Sequence, residues 1–178
     1  VTFTQAIFES EVSFRQTEFG KTASFRGTQF HNSVSFQAVS FSGVAEFNNG
    51  YFICSNVEGK TFPIDFRHAS FERPADFRRC TFFTRYPDFS GILLHERSLF
   101  SAKKKFWPAS AANQIDEAKN TCATLRHIVA KQSLPDDEYF FFRREMKFMG
   151  QSSPMLVRLF FWVYRVSSDY GYSIGRPI

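Results

Sequence analysis

The chain has 178 residues, 22 Lys and Arg against 17 Asp and Glu, a formal net charge of +5, 25 Phe and three Cys. The charged fraction of 22% is ordinary and excludes a disordered polyelectrolyte. Mean hydropathy is −0.27, and no apolar run approaches the roughly 18–20 residues of a membrane-spanning helix, which excludes a span within this stretch. The start has neither Met nor a signal-like region and reads as part of a longer chain, with Val1 falling partway into a pattern.

From the first residues onward, Phe recurs at Phe3, Phe8, Phe14, Phe19, Phe25, Phe30, Phe36, Phe41, Phe47 and Phe52, with spacings alternating between 5 and 6. The pattern falters over 53–65, where Val57 and Phe62 can hold the places. It resumes at Phe66, Phe71, Phe77, Phe82 and, less cleanly, Phe89. Two residues before each Phe stands a small or β-branched residue, as at Ala23, Val34, Ala45, Ala69, Ala75 and Cys80. The residues between are mostly polar. Each unit therefore points one large and one small group inward.

Helical periodicity cannot produce this, because steps of 5 and 6 carry a side chain around to the far side of a helix. Two-residue alternation fails without a bend in every unit, which is the geometry of a solenoid. Eleven residues could form a two-sided coil, or twenty-two a four-sided one. A Phe on every side favours the roomier four-sided coil, with Phe3, Phe25 and Phe47 in one column and Phe8, Phe30 and Phe52 in another. Neighbouring coils then sit about 4.8 Å apart. The ladder is core: burying each ring is worth about 1.5–3 kcal/mol.

Residues 1–91 resemble the pentapeptide-repeat proteins. The likeness rests on the central Phe and the small residue two places before it, as in Ala69-Ser70-Phe71 and Ala75-Asp76-Phe77. The sixth residue in alternate units departs from the strict five-residue form, as in an all-Phe variant of that family. The resemblance implies a right-handed four-sided β-helix.

Residues 92–112 read as a cap and linker, since a solenoid must cover its last coil. They include the cationic run Lys103, Lys104 and Lys105, either a solvated loop or a contact for anionic headgroups. Residues 113–178 read as a small all-α region. Ile115, Ala118, Cys122, Leu125 and Val129 predict a helix over about 114–132, with Asn113 and Asp116 as a capping signal. Ser133 and Pro135 mark a turn. Tyr139, Phe142, Met146 and Met149 predict the inward stripe of a second helix ending at Gly150, packed antiparallel on the first. Ser153 and Pro154 then open a third, running through 155–166 and apolar or aromatic at ten of twelve positions. It is too short to span a bilayer, so it buries itself in protein or lies in a membrane interface. Arg158, Trp162 and Arg165 are then its headgroup candidates.

The segment 141–146 and the run 168–177, with Tyr170, Gly171 and Arg176-Pro177, are similar to parts of bacterial pentapeptide-repeat membrane proteins. There, helices and a Tyr-Gly…Arg-Pro signature precede hydrophobic spans, some with an ion-channel-like pore. That resemblance implies membrane attachment through residues beyond Ile178 and a place on the cytoplasmic side of a bacterial inner membrane. Charge agrees with it. Residues 1–92 carry nine basic and nine acidic side chains, so the whole excess lies in the second half.

Chemistry is sparse. Cys54, Cys80 and Cys122 are odd in number, show no CxxC spacing and read as buried thiols in a reducing cytoplasm. His31, His68, His95 and His127 lack metal-ligand spacing. Asp65, Glu72, Asp76 and Asp88 stand singly among arginines, and Glu145 beside Arg143 and Arg144 reads as an ion pair within the helical hairpin. No catalytic, metal or cofactor residue is assigned, and the diluted basic residues do not make a nucleic-acid stripe. The expectation is a non-catalytic interaction scaffold with an unidentified protein partner, attached to a membrane and regulating a membrane or channel-like region. Self-association edge to edge or end to end is left open. The alternative is a soluble cytoplasmic DNA mimic that binds a type II topoisomerase.

Overall fold

The computed structural model describes residues 1–111 and 114–168. Asn113, Tyr170 and Arg176 lie outside the described residues, as does the side chain of Arg165.

The first coil holds β1 (Ile7–Phe8), β2 (Val12–Ser13), β3 (Glu18–Phe19) and β4 (Ala23–Ser24). The second holds β5 (Gln29–Phe30), β6 (Val34–Ser35), β7 (Ser40–Phe41) and β8 (Ala45–Glu46). The third holds β9 (Tyr51–Phe52), β10 (Ile64–Asp65), β11 (Ser70–Phe71) and β12 (Ala75–Phe77). β13 (Thr81–Phe82) and β14 (Leu99–Phe100) complete the stack. Pairing is parallel throughout, giving four sheets in the orders β1-β5-β9-β13, β2-β6-β10, β3-β7-β11 and β4-β8-β12-β14. The four-sided coil of twenty-two residues is thereby established: Phe8 pairs with Phe30, and Val12 with Val34.

Rings stack along each column. Phe3, Phe25, Phe47, Phe77 and Phe100 form one, with centroid separations of 4.7–5.0 Å and interplanar angles of 2–14°. Phe8, Phe30, Phe52 and Phe82 form a second. Phe14, Phe36 and Phe66 form a third, and Phe19, Phe41 and Phe71 a fourth. Between adjacent columns rings meet edge to face, as for Phe25 and Phe36 at 5.2 Å and 88°. This combines the two favoured geometries of aromatic pairs.

The alternation of 5 and 6 has a backbone cause. In the five-residue steps, the amide three residues after the Phe donates to that Phe's carbonyl, as Ala6 to Phe3, Thr17 to Phe14 and Val39 to Phe36. The residue two places after the Phe has positive φ: Gln5, Gln16, Gly27, Ala38, Asn49, His68, Arg79 and Gly91. These are tight turns with a left-handed third residue, the type II pattern. The intervening six-residue steps turn without one.

Residues 53–62 correct one expectation. Val57 does not hold a core place; it is fully exposed. The chain leaves the coil, folds back with an antiparallel bridge between Ser55 and Thr61, and re-enters with Phe62 half-buried. The coil offset therefore grows from twenty-two residues to thirty, with Val34 now opposite Ile64. Beyond residue 91 the stacking continues through a bridge from Ser70 to Leu93 and through Phe100 on Phe77.

α1 (Ile115–Lys131) and α2 (Pro135–Ser152) form the hairpin, followed by α3 (Met155–Ser168). Ser133, with φ of 56°, ends α1 by letting its own amide reach Ala130 and that of Leu134 reach Val129, a Schellman closure. Pro135 opens α2, with Asp136, Asp137 and Glu138 in the first turn. Two expectations for α2 are corrected. Its buried face is Phe141, Glu145, Phe148 and Gly150, whereas Tyr139, Phe142, Met146 and Met149 are half-buried flanks. Gly150 does not stop the helix; a Cβ there would lie 3.2 Å from Cβ of Phe161, so it admits α3. The Ser153 hydroxyl donates back to the Met149 carbonyl at 2.7 Å, at the end of α2.

Candidate interaction surface

The helices close the end of the solenoid. Trp107 stacks on Phe82 at 4.9 Å, continuing that column, and meets Phe141 edge-on at 5.4 Å. Its Nε1 donates to the Ser101 carbonyl at 2.9 Å. Tyr86 packs edge-on against Phe148 at 5.3 Å, and its hydroxyl donates to the Pro108 carbonyl at 3.1 Å. Arg144 Nη1 donates to that hydroxyl and to the Pro108 carbonyl. Thr121 Oγ1 donates to the Pro87 carbonyl at 2.6 Å, and Gln132 Nε2 to the carbonyls of Glu96 and Ser98 at 2.8 Å. Aromatic stacking and side-chain donors thus fasten α1 and α2 to backbone carbonyls that the solenoid leaves unpaired at its end. Tyr86 did not stand out in the sequence, because it does not fall on the 5/6 ladder.

Glu145 sits in the hairpin interface with its side chain 10% exposed, and Arg126 Nε donates to its carboxylate at 2.7 Å. The ion pair within the hairpin is present, but its cation is Arg126 on α1, not Arg143 or Arg144. The carboxylates of the solenoid are clasped locally. Asp65 accepts from Arg67 Nε and Nη2 at 3.0 and 2.8 Å, and Asp76 from Arg78 at 2.9 and 2.8 Å. Burial raises the Asp65 carboxyl, but hydrogen bonds and charge from Arg67 outweigh it and hold the group below its ordinary value.

The three cysteines are free and buried. Burial pushes the thiols of Cys54 and Cys122 up to about 12 and raises that of Cys80. None is a thiolate near neutral pH, and Cys80 Sγ donates to the Phe47 carbonyl at 2.9 Å. Among the described residues no group of three or more His, Cys, Asp or Glu is arranged to hold a metal ion.

Of the headgroup candidates, Lys103, Lys104 and Lys105 are exposed on the segment that leads to Trp107, with Lys105 over the Phe106 ring at 5.0 Å. Trp162 is 55% exposed on α3, beside Met155 at 88%, Leu159 at 59% and Phe160 at 74%. Arg158 turns back instead: its Nη2 donates to the Gln151 carbonyl at 2.7 Å, at the C-terminal end of α2, where a cation complements the helix dipole. The lysine run and Trp162 lie on separate elements. Among the described residues no helix is long and apolar enough to cross a membrane.

A parallel four-sided β-solenoid with columns of stacked Phe rings in its interior, closed by helices, is the class these observations define. Residues 1–40 match the family model described as Pentapeptide repeats (9 copies), and the columns from Phe41 to Phe82 continue the register of that matched stretch. No curated protein and no solved structure matches the chain.

Proposed function

We propose that the protein is a non-catalytic scaffold whose solenoid is a rigid interaction surface and whose third helix rests in a membrane interface on the cytoplasmic side. The observation that carries this is α3. Over Met155–Val163 it exposes Met155, Val157, Leu159, Phe160, Trp162 and Val163, while Phe161 lies against Gly150 of α2. Large apolar groups rarely stay together in water without a surface to cover them. A helix of 14 residues, about 21 Å long, lies along a bilayer rather than through it. Trp162 suits the headgroup level, and the basic excess of the second half suits anionic lipid.

Co-sedimentation of the full chain with vesicles tests the reading. The chain pellets with phosphatidylglycerol-containing vesicles, and Phe160→Glu with Trp162→Glu releases it; failure to pellet with either anionic or neutral vesicles sinks the proposal. The topoisomerase-binding alternative asks for free carboxylates along the solenoid. Asp65 and Asp76 are instead each neutralised by an arginine two residues on.

A further inference from the structure

A second feature stands apart from α3. Between the segment 102–109 and one face of α2 lies a half-open cleft of about 560 Å³, within the size range of small-molecule sites. Its walls follow from the sequence of α2, where positions 136, 139–140, 143–144 and 147–148 return to one side at helical spacing. Burial of Phe141 against Trp107 and of Glu145 against Arg126 of α1 directs this neighbouring face toward the segment 102–109.

The lining has two characters. Tyr139 and Phe140, with the methyl groups of Ala102 and Ala109, make it apolar. Lys104, Arg143, Arg144 and Lys147 make it cationic, against the single carboxylate of Asp136. Two of these cations hold the cleft's shape. Arg144 donates to the Pro108 carbonyl at 2.7 Å and Lys147 to the Ala109 carbonyl at 2.8 Å, so both tie the segment to α2. Arg144 also lies over the Phe140 ring at 4.8 Å. Lys104 and Arg143 are exposed at the cleft and come from opposite sides of it, one from the segment and one from the helix.

We infer that this cleft binds a phosphate-bearing amphiphile, with the phosphate between Lys104 and Arg143 and its apolar portion on Tyr139 and Phe140. Charge and shape select that class. A terminal phosphate carries up to two negative charges and three acceptor oxygens, enough for a guanidinium fork and an ammonium together. A wholly polar anion would leave the still exposed parts of Tyr139 and Phe140 in water, and a neutral apolar ligand would desolvate the cations without recompense. The inference is read from the cleft's own lining and stands whether or not α3 meets a bilayer.

Titration calorimetry of the full chain with monomeric dihexanoyl phosphatidic acid is the test. Saturable one-to-one binding is expected, at least tenfold weaker for Lys104→Ala with Arg143→Ala and weakened by salt. Dihexanoyl phosphatidylcholine and inorganic phosphate should each bind at least tenfold more weakly. Both substituted residues are exposed, and circular dichroism confirms that the variant is folded; Lys104→Glu alone is the second variant. No saturable binding, equal affinity for phosphatidylcholine, equal affinity for inorganic phosphate (an adventitious ion only), or folded variants with unchanged affinity would each overturn the inference. Phosphatidic acid vesicles distinguish the source. Competition with the monomer supports a membrane-borne ligand in the site, and its absence, with monomer binding intact, supports a soluble one. Phe160→Glu with Trp162→Glu keeps monomer binding, which separates the cleft from the α3 reading.

Discussion

The solenoid and the helical hairpin bury their interiors by opposite means. In the solenoid each ring meets a copy of itself one coil away, and strand pairing runs from coil to coil. In the hairpin the buried face of α2 mixes Phe141 and Phe148 with a carboxylate, and Glu145 is held there by Arg126. Repetition makes the first region tolerant in design and intolerant in detail. One misfitting residue is felt by the coils above and below it. The second depends on a few specific polar bonds, so its failures should be local.

The largest expected effect lies deep in the ladder. Phe36 is fully buried, with Phe14 at 5.1 Å and Phe66 at 4.7 Å on its two faces. Phe36→Ala should cost about 3–5 kcal/mol in denaturant unfolding, while Phe160→Ala on α3 should stay within about 0.5 kcal/mol. Next is Gly43, where a Cβ would stand 2.3 Å from the Lys21 carbonyl carbon in the coil below. Gly43→Ala should destabilise by about 1–3 kcal/mol, because hydrogen-bonded backbone cannot step aside.

The hairpin breaks differently. Arg144→Met removes the bonds to Tyr86 and Pro108 and should cost about 1.5–3 kcal/mol. Hydrogen exchange should rise in α1 and α2 while the strands of the solenoid keep their protection. Loss of protection in both regions together would show that they unfold as one unit.

Acid sharpens the contrast further. Asp65 has a folded value below its unfolded one, so its contribution is present above the unfolded value and is lost as pH falls through the lowered folded value. Stability measured against pH should fall in the acidic carboxylate range, and Asp65→Asn should flatten that slope. The smallest effect is a gain. Ala38 adopts φ of 54° at an exposed corner, a conformation that glycine enters without strain. Ala38→Gly should raise stability by about 0.5 kcal/mol, since relief of left-handed strain slightly exceeds the added freedom of the unfolded chain.

Most of the solenoid could be read in advance because one physical requirement repeats. Phe3, Phe25 and Phe47 announce their column through spacing alone. The stack on Phe77 was harder to see: its next member, Phe100, lies beyond the less regular stretch that holds Phe89 and Leu94. The inward face of α2 escaped for another reason. Apolar periodicity counts Glu145 as an outward residue, but a carboxylate can face inward when Arg126 lies opposite, and that pairing spans two helices. Gly150 reads equally well as a helix stop or as room for a crossing side chain, and only the position of Phe161 decides. The cleft was invisible because Lys104 and Arg143 are 39 positions apart and gain meaning only when Trp107 seats the segment between them.

The excursion at 53–62 has a consequence for how such a chain can change over evolutionary time. The amide of Phe62 donates to the Cys54 carbonyl at 2.7 Å, tying the two ends of the detour together at its base. The coils beyond take their register from Phe36 meeting Phe66 and Phe41 meeting Phe71, not from the length of chain between. An insertion here costs only loop closure, which grows slowly with length. The corner after Phe52 is therefore a natural grafting point, where new recognition elements can be added to the rod without rebuilding it.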